Sequence, residues 1–408
     1  MKRLSLLLLL SIWFTLGYAQ LMGFKVPADK KNLEIPFEFR NNLILIKVIF
    51  NKVFPLTFIL DTGSENTILA KKKFADLLEL DYDREYKVYG ADLQRELTVH
   101  LSRNVRLKLP TLKAQQVPIL VLEEDYFQFE QYTGLKIHGI LGMDLFKLVV
   151  LQIDFKNKKL ILHHPESFTR PSNKFKAFPL EIYRNKPYLI VQAAVQKEAA
   201  TPMKLLIDTG ANMTLLLHND TDSTIVLPSK LIPGKLGDGL GGFIEGYLGR
   251  IHSLSLGDFT FSNITTHFQE LPPKLDYGHI NNRNGILGNG VLSRFNCIYA
   301  PFQRTLYLKA EKKYNKGFKF DRSGLTLIAS GIELNDYSIT NVIVGSPAAE
   351  AGLQKGDKLH RLNGLPARFF SLEVIAWKFQ KRVGKRYKIV IKRNGKKKKF
   401  VFRLRDLI

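Results

Sequence analysis

Cysteine is almost absent from this chain of 408 residues. The single one, Cys297, excludes a disulfide within the chain, so the fold must depend on its hydrophobic core. Cys297 lies in an apolar run, residues 295–299, and we expect it to be a small buried hydrophobic side chain. Hydrophobic residues make up 45% of the chain, which is enough for several cores.

Motifs for metals and nucleotides are missing as well. The nine histidines show no metal-ligand spacing, and there is neither a His-Glu-x-x-His motif nor a paired-cysteine motif. The glycine-rich residues 237–242 lack the Lys-Ser/Thr ending of a phosphate-binding loop. We therefore expect neither a metal nor a cofactor.

Long apolar runs are scarce, and no segment after the N-terminus approaches the roughly 20 apolar residues that a membrane span needs. At the N-terminus, Lys2 and Arg3 precede an apolar core, residues 4–16, and small residues end the segment at Ala19. This pattern predicts a signal peptide over residues 1–19, with a retained anchor as the alternative. We expect the mature chain to be exported, periplasmic or extracellular, and monomeric.

Acidic residues are few: 37 stand against 61 Lys and Arg, a formal net charge of +24. Residues 311–408 alone carry 23 Lys and Arg against 8 Asp and Glu, with the densest charge at residues 396–399. A solvated basic face is the favoured interpretation. Contact with an anionic envelope surface or with acidic substrates is the alternative. Nucleic acid is not an expected partner of an exported chain.

A short motif occurs twice in the chain. Residues 58–69 read FILDTGSENTIL, and residues 205–216 read LLIDTGANMTLL. The two motif aspartates, Asp61 and Asp208, are 147 positions apart, and two Gly-Ile-Leu-Gly segments that end at Gly142 and Gly288 are 146 apart. Two anchors at matched spacing indicate an internal duplication.

The duplication predicts two homologous lobes over residues 24–165 and 175–310, within the usual size of a domain. Alternating apolar residues around each motif predict mainly β structure. Examples are two strands over residues 43–60 and a closing hairpin over residues 149–162. Helical spacing is confined to residues 71–80, and strands are expected to resume at Tyr188 after a polar linker.

Residues 320–407 form a separate β-rich module in this interpretation. Ser346 and Pro347 can begin a helix, and residues 371–382 predict another. Asn-Gly pairs at residues 363–364 and 394–395 predict tight turns between strands.

Two carboxylates that face each other cannot both ionise easily, so they share a proton. One can then act as a base on a water molecule while the other acts as an acid. With Asp61 and Asp208 in these roles, the activated water could attack a peptide carbonyl without a metal or a covalent nucleophile.

The residues after each Asp have predicted supporting roles. Gly63 and Gly210 permit close approach of the two loops. Thr62 and Thr209 can hydrogen-bond across the interface and fix the spacing of the carboxylates.

The position after each glycine differs between the two motifs. The Ser64 hydroxyl can donate to Asp61, whereas Ala211 offers no such donor to Asp208. The two halves of the site are therefore electrostatically unequal.

On these tetrapeptides and the paired Ile-Leu-Gly segments, residues 35–310 resemble the lobes of pepsin-type and retropepsin-type aspartic proteases. The resemblance implies a bilobal β fold, polypeptide substrates, and Asp61 and Asp208 as the catalytic dyad. Ala211 follows the retropepsin habit, which puts a strongly acidic pH optimum in doubt.

The family covers its cleft with a glycine-containing hairpin, the flap. Tyr89 and Gly90 lie at a plausible distance after Asp61, and residues 237–242 occupy the matching stretch after Asp208. An ordinary hairpin turn explains the same signals.

The last module resembles a bacterial PDZ domain through the segments SPAAEAGL at residues 346–353, KGD at 355–357 and RLNG at 361–364. Such domains bind an extended C-terminal peptide as an added strand. By this resemblance, the ligand's carboxylate would be held by Gly324, Leu325, Thr326 and Leu327, beside the helix of residues 371–382. A structural cap without ligand is the alternative.

Three functions compete on this basis. The favoured one is an exported aspartic endopeptidase with a PDZ domain for substrate or partner C-termini. The second is a catalytically inactive peptide-binding envelope protein, although neither Asp nor either motif glycine is lost here. A pure scaffold leaves the matched Asp loops unexplained.

Overall fold

The computed structural model describes residues 23–89, 96–112, 115–197, 200–239, 242–272 and 277–408. The predicted signal peptide and Gly90 of the predicted flap lie outside these residues. Strands predominate in the described chain, as the alternating patterns predicted. No helix in these ranges is long and apolar enough to cross a membrane.

The N-terminal lobe begins at a short strand and ends with the predicted closing hairpin. Its strands are β1 (Asn32–Pro36), β2 (Glu38–Arg40), β3 (Leu43–Phe50), β4 (Phe54–Leu60), β5 (Ile68–Leu69), β6 (Arg84–Tyr89), β7 (Glu96–Lys108), β8 (Gln115–Leu122), β9 (Gly139–Leu141), β10 (Val150–Asp154) and β11 (Lys159–His163). Its helices are α1 (Lys73–Asp76) and α2 (Phe129–Thr133). Helix α1 is shorter than the helical spacing predicted, because Glu79 adopts a left-handed conformation (φ 48°) that cannot continue a helix.

The C-terminal lobe repeats this arrangement. Its strands are β12 (Lys176–Pro179), β13 (Glu181–Tyr183), β14 (Lys186–Ala194), β15 (Thr201–Ile207), β16 (Leu215–His218), β17 (Ile232–Gly239), β18 (Gly242–Leu256), β19 (Phe259–Gln269), β20 (Gly285–Leu287), β21 (Phe295–Ala300) and β22 (Thr305–Ala310), with helix α3 (Asn289–Leu292). The prediction that strands resume at Tyr188 was wrong: β12 begins at Lys176, where it pairs with the distant β22.

An eight-stranded sheet forms the body of each lobe, and its strand order is the same in both. The order is β2-β3-β4-β9-β5-β8-β7-β6 in the first lobe and β13-β14-β15-β20-β16-β19-β18-β17 in the second. The duplication seen in the motifs therefore extends to the whole topology. In both sheets the strand that leads to the motif Asp pairs in parallel with the Gly-Ile-Leu strand.

A third sheet joins the lobes. Its order is β1-β11-β10-β21-β22-β12, and β10 of the first lobe pairs with β21 of the second, with Leu151 opposite Tyr299. Cys297 lies in β21 and is fully buried, as predicted. The lobes are thus held together by continuous backbone hydrogen bonds beneath the two Asp loops.

The C-terminal domain is a separate sheet with its own hydrophobic core. Its strands are β23 (Leu325–Ser330), β24 (Asp336–Val342), β25 (Lys358–Leu362), β26 (Leu365–Pro366), β27 (Arg386–Arg393) and β28 (Lys396–Arg403), and its helices are α4 (Pro347–Glu350) and α5 (Leu372–Phe379). Ser346 caps α4 through its side chain, and Asn363 and Asn394 take the positive φ of tight turns, as predicted. Among the described strands, β23 is an edge strand that pairs with β24 alone.

Candidate active site

Strands β4 and β15 end at the two motif aspartates. The Asp61 N–H donates to Leu141 O at 3.0 Å, and the Asp208 N–H donates to Leu287 O at 3.0 Å. These bonds continue the parallel pairing of β4 with β9 and of β15 with β20. Each Asp is therefore anchored at the end of a buried central strand.

Each of the two carboxylates is held by an equivalent pair of backbone donors from its own loop. In each loop, Oδ1 of the Asp accepts one N–H at 2.7 Å and a second at 3.0 Å. The donors are Gly63 and Ser64 for Asp61, and Gly210 and Ala211 for Asp208. Backbone donors fix the carboxylate orientation without rotamer freedom.

Each motif glycine lies against the carboxyl group of the opposite lobe. A Cβ on Gly63 would lie 2.6 Å from Oδ2 of Asp208, and a Cβ on Gly210 would collide with the Asp61 carboxyl group in the same way. No side chain fits at either position. The predicted role of the two glycines in close approach agrees with this geometry.

The two motif threonines exchange hydrogen bonds across the lobes. Each is fully buried. The Thr62 hydroxyl donates to Ile207 O at 2.6 Å, and the Thr209 hydroxyl donates to Leu60 O at 2.8 Å. Each hydroxyl also accepts the backbone N–H of the other threonine at 3.0 Å. The predicted cross-lobe contacts are present and tie the two Asp loops together.

The hydroxyl contact predicted for Ser64 is not made. Its Oγ donates to Asn66 O at 2.8 Å, two residues along the same turn, and only its backbone N–H reaches Asp61. The loop closes on itself and turns the hydroxyl away from the carboxylate. Ser64 and Ala211 therefore give the same backbone hydrogen bond to their aspartates. The predicted difference between their side chains is absent from the hydrogen bonds of the two carboxylates.

The Ile-Leu-Gly segments support the loops from behind. A Cβ on Gly142 would overlap the backbone of Asn66, and a Cβ on Gly288 would lie 2.8 Å from Ala211 O. The sequence prediction missed Asn289, which directly follows the second segment. Its Nδ2 donates to Thr209 O at 2.6 Å and to Asn42 O at 2.7 Å, so it braces the Asp208 loop against the first lobe.

Burial dominates the electrostatics of the pair. Burial and the facing charge of Asp208 raise the pKa of Asp61 well above its usual range. Burial also raises the pKa of Asp208, against the lowering effects of the hydrogen bond with Asp61, of the backbone donors and of the Arg283 guanidinium. The two carboxyl groups lie within hydrogen-bonding reach of each other, so they titrate as one coupled pair.

A family model described as aspartyl protease matches the sequence twice, over residues 46–145 and 191–291. Each match spans one Asp-Thr-Gly loop and its Ile-Leu-Gly segment. Both lobes are aspartyl protease domains. No curated protein sequence matches the chain significantly.

Two solved structures are similar to these aspartyl protease lobes. An aspartic proteinase from Irpex lacteus has 13% identity and a TM-score of 0.44, over 70% of this chain and 99% of that chain. Basic 7S globulin from soybean has 7% identity and a TM-score of 0.42, over 71% of this chain and 97% of that chain.

The predicted flap positions lie in matching hairpins of the two protease lobes. Tyr89 is the last residue of β6 and pairs with Glu96 at the start of β7, while Gly90 lies outside the described residues. In the second lobe, Gly239 at the end of β17 pairs with Gly242 at the start of β18. The topology therefore gives both hairpins the same place in their sheets.

The predicted carboxylate loop of the C-terminal domain is already engaged by the chain. The N–H groups of Ser323 and Gly324 donate to Oδ1 of Asp321 at 2.8 and 2.9 Å, and the Leu325 N–H donates to the Ser323 hydroxyl at 3.1 Å. Thr326 and Leu327 follow as half-buried residues of β23. A ligand carboxylate at this loop would compete with Asp321.

The far end of the same strand is covered by the first protease lobe. A Cβ on Gly134, which ends α2, would lie 3.1 Å from Leu372 Cβ and 3.7 Å from Ala329 Cβ. Arg40 pairs with Glu373 at 2.8 Å, and the Asn41 N–H donates to the same carboxylate at 2.9 Å. The space between β23 and α5 is thus closed at the end away from Gly324.

Within the described part of the chain, no group of three or more His, Cys, Asp and Glu side chains has metal-binding geometry.

The four lysines at residues 396–399 are exposed on β28, an edge strand of the C-terminal domain.

Proposed function

We propose that this protein is an exported aspartic-type endopeptidase in which Asp61 and Asp208 form the catalytic dyad. The observation that carries the proposal is the pair of partly buried carboxyl groups, one from each lobe, within hydrogen-bonding reach and held by equivalent backbone donors. Charged groups are buried together at a cost in stability, and such perturbed pairs are typical of functional sites.

The dyad supplies both an acid and a base. A water bound between the carboxyl groups loses a proton to the ionised one as it attacks a peptide carbonyl, and the protonated one stabilises the oxyanion. Arg283 is one of the groups that favour the anionic form of Asp208, and the pair shares one proton. In this mechanism the ionised carboxylate accepts the proton of the water and its protonated partner faces the carbonyl oxygen.

Export and surface contacts belong to the same proposal. Residues 1–19 motivate an exported protein, and the mature chain would act as a monomer on polypeptide substrates. The exposed lysines of β28 form a solvated basic face in this proposal, with contact to an anionic envelope surface as the alternative.

The first test is digestion of a denatured protein by the purified chain across pH 3 to 8, with and without pepstatin. Burial raises both dyad pKa values, so the singly protonated form persists above the usual range of an Asp carboxyl group. Cleavage should therefore continue above that range and fall as the pH rises through the raised pKa. No cleavage at any pH would favour the inactive peptide-binding protein, and cleavage that pepstatin does not inhibit would count against a pepsin-like dyad.

For the C-terminal domain we propose a PDZ-type function in which a C-terminal peptide displaces Asp321 from the loop. The support is chemical: backbone N–H groups that hold one carboxylate can hold another, and β23 is an edge strand able to accept an added strand. Because α2 and Arg40 close the far end, only the part of β23 near Gly324 to Leu327 is available.

Replacing Asp321 by Ala should strengthen binding of a peptide with an apolar C-terminal residue and a free carboxylate. We expect roughly 10-fold or more, the size of a charge-assisted hydrogen bond. Fluorescence anisotropy of a labelled peptide measures the change. The same peptide with an amidated C-terminus, and the exposed-site variant Asp336→Ala, are the controls.

Equal affinity for wild type and Asp321→Ala would show that Asp321 does not compete. Absence of binding to a folded Asp321→Ala protein would leave the C-terminal domain as a structural cap on the first lobe.

A further inference from the structure

Matching backbone hydrogen bonds identify equivalent positions in the two protease lobes. The Ala70 N–H donates to His138 O at 2.8 Å in the first lobe, and the His218 N–H donates to Asn284 O at 2.8 Å in the second. The donors Ala70 and His218 lie at the end of the short central strands β5 and β16, and the acceptors directly precede the Gly-Ile-Leu strands. His218 therefore occupies the position of Ala70.

The same comparison of the two lobes gives two further pairs of equivalent positions. The residues before the two carbonyl acceptors are Ile137 and Arg283. Strand register adds Leu45, opposite Ile59 in the first lobe, and Tyr188, opposite Leu206 in the second. The positions of Leu45, Ala70 and Ile137 are thus taken by Tyr188, His218 and Arg283.

This substitution changes an apolar region into a polar one. Leu45, Ala70 and Ile137 belong to one buried hydrophobic cluster of the first lobe. Their counterparts in the second lobe form what we call the cationic pocket: Tyr188, His218 and Arg283, which are 1%, 1% and 8% exposed. A buried arginine at the position of an isoleucine needs a physical reason.

The polar atoms of the cationic pocket lack partners among the described residues. The Tyr188 hydroxyl, both ring nitrogens of His218 and Nε of Arg283 are buried without a hydrogen bond. Arg283 and Tyr188 influence each other electrostatically, but no hydrogen bond of good geometry joins them. Burial and the charge of Arg283 lower the pKa of His218 well below its usual range, so its neutral ring offers one N–H donor.

Positive charge exceeds negative charge around the pocket. Arg283 lies close enough to interact with Asp208, which shares its proton with Asp61. Lys186 is partly buried nearby and interacts with Arg283. It holds the position in β14 that Leu43 holds in β3 of the first lobe. The remaining lysine at the Tyr188 ring, Lys204, is already paired with Glu181 at 2.7 Å.

An unpaired buried guanidinium is costly, and removing water from it costs several kcal/mol in general. A carboxylate would satisfy the guanidinium and accept from the hydroxyl and the ring N–H at the same time. Because Arg283 lies near Asp208, its unpaired guanidinium would stand beside the scissile bond of a bound substrate and not at a remote surface.

We propose that the cationic pocket binds a carboxylate side chain, Asp or Glu, of the polypeptide substrate next to the scissile bond. The proposal rests on the endopeptidase function proposed above and gives that function a charge preference. The first lobe, with its apolar cluster at the equivalent place, would offer no such preference.

The test compares peptides that differ only in Glu, Gln or Leu at each position flanking the cleaved bond. For wild type, kcat/KM should be roughly 10- to 100-fold higher for Glu than for Gln at one position, the range of a hydrogen bond to a charged group. In Arg283→Met this ratio should fall close to one. Arg184→Met, which removes an exposed charge near the cleft, should keep the ratio.

Equal kcat/KM values for the Glu and Gln peptides in wild type would overturn the proposal. Thermal unfolding of Arg283→Met checks its fold, which should survive because Met is of similar length and an unpaired buried charge is removed. If wild type cleaves no peptide, the endopeptidase proposal fails, and anisotropy then tests the pocket alone. If wild type binds the Glu peptide more tightly than the Gln peptide and Arg283→Met does not, the carboxylate-binding role of the pocket is retained. Equal binding of the two peptides by wild type would overturn that role.

A titration with sodium acetate distinguishes a free anion from a substrate side chain. Acetate should compete with the Glu peptide more strongly than with the Gln peptide. Equal inhibition of both, without a Glu preference, would identify a site for free anions only and would overturn the substrate assignment.

Discussion

Asp208→Asn should abolish peptide hydrolysis while leaving the fold intact. The amide cannot accept the proton of the attacking water, so we expect a loss in kcat of about 10³-fold or more, in line with the contribution of a positioned acid-base group. The Asn side-chain oxygen can still accept the N–H groups of Gly210 and Ala211. Removal of a charge that faces Asp61 also relieves repulsion in the buried site.

The measurement is initial rates on one peptide at several pH values, together with the midpoint of thermal unfolding. Asp258→Asn is a matched control, because Asp258 is an exposed carboxylate of the same lobe that pairs with Lys176 at 3.2 Å, far along the chain from the Asp loops. Full activity of Asp208→Asn would contradict the dyad assignment. Equal loss in both variants would point to a general electrostatic effect instead.

Thr209→Val should weaken the joint between the lobes. Valine has nearly the same shape but leaves Leu60 O without its donor and the Thr62 N–H without its acceptor, at a fully buried position. Each unpaired buried group costs roughly 1–3 kcal/mol, so the free energy of unfolding should fall by about 2–4 kcal/mol. Activity should fall as well, because the threonines fix the spacing of the two Asp loops.

Thr209→Ser separates the hydroxyl from the methyl group. It keeps both hydrogen bonds and loses one methyl group, worth about 0.8 kcal/mol. Urea unfolding of the two variants measures the difference. If Thr209→Val were as stable as Thr209→Ser, the cross-lobe hydrogen bonds would contribute little to the protein.

Local and repeated features were predictable from the sequence. The two Asp-Thr-Gly loops, the Ile-Leu-Gly supports and the tight turns at Asn363 and Asn394 depend on neighbouring residues, and the structure has them as expected. The Ser64 prediction failed because its hydroxyl found a carbonyl within its own turn, at Asn66. Competition between two nearby acceptors is decided by backbone geometry that residue types alone do not show.

Contacts between distant segments were not predictable. The sheet that joins β10 to β21 depends on strands about one lobe apart in sequence, and nothing in either strand specifies its partner. The approach of Gly134 to Leu372 is of the same kind. Each required the three-dimensional arrangement of elements that look independent along the chain.

By itself, the sequence determined that this protein has two similar β lobes and that each brings one aspartate, because the repeat and its spacing are written in residue order. Only the tertiary structure decided what surrounds the pair. Tyr188, His218 and Arg283 come from three separate segments of the chain, and only the pairing of β14, β15, β20 and β16 brings them together. Burial, and not residue type, makes their unpaired polar atoms costly, and burial exists only in the folded chain.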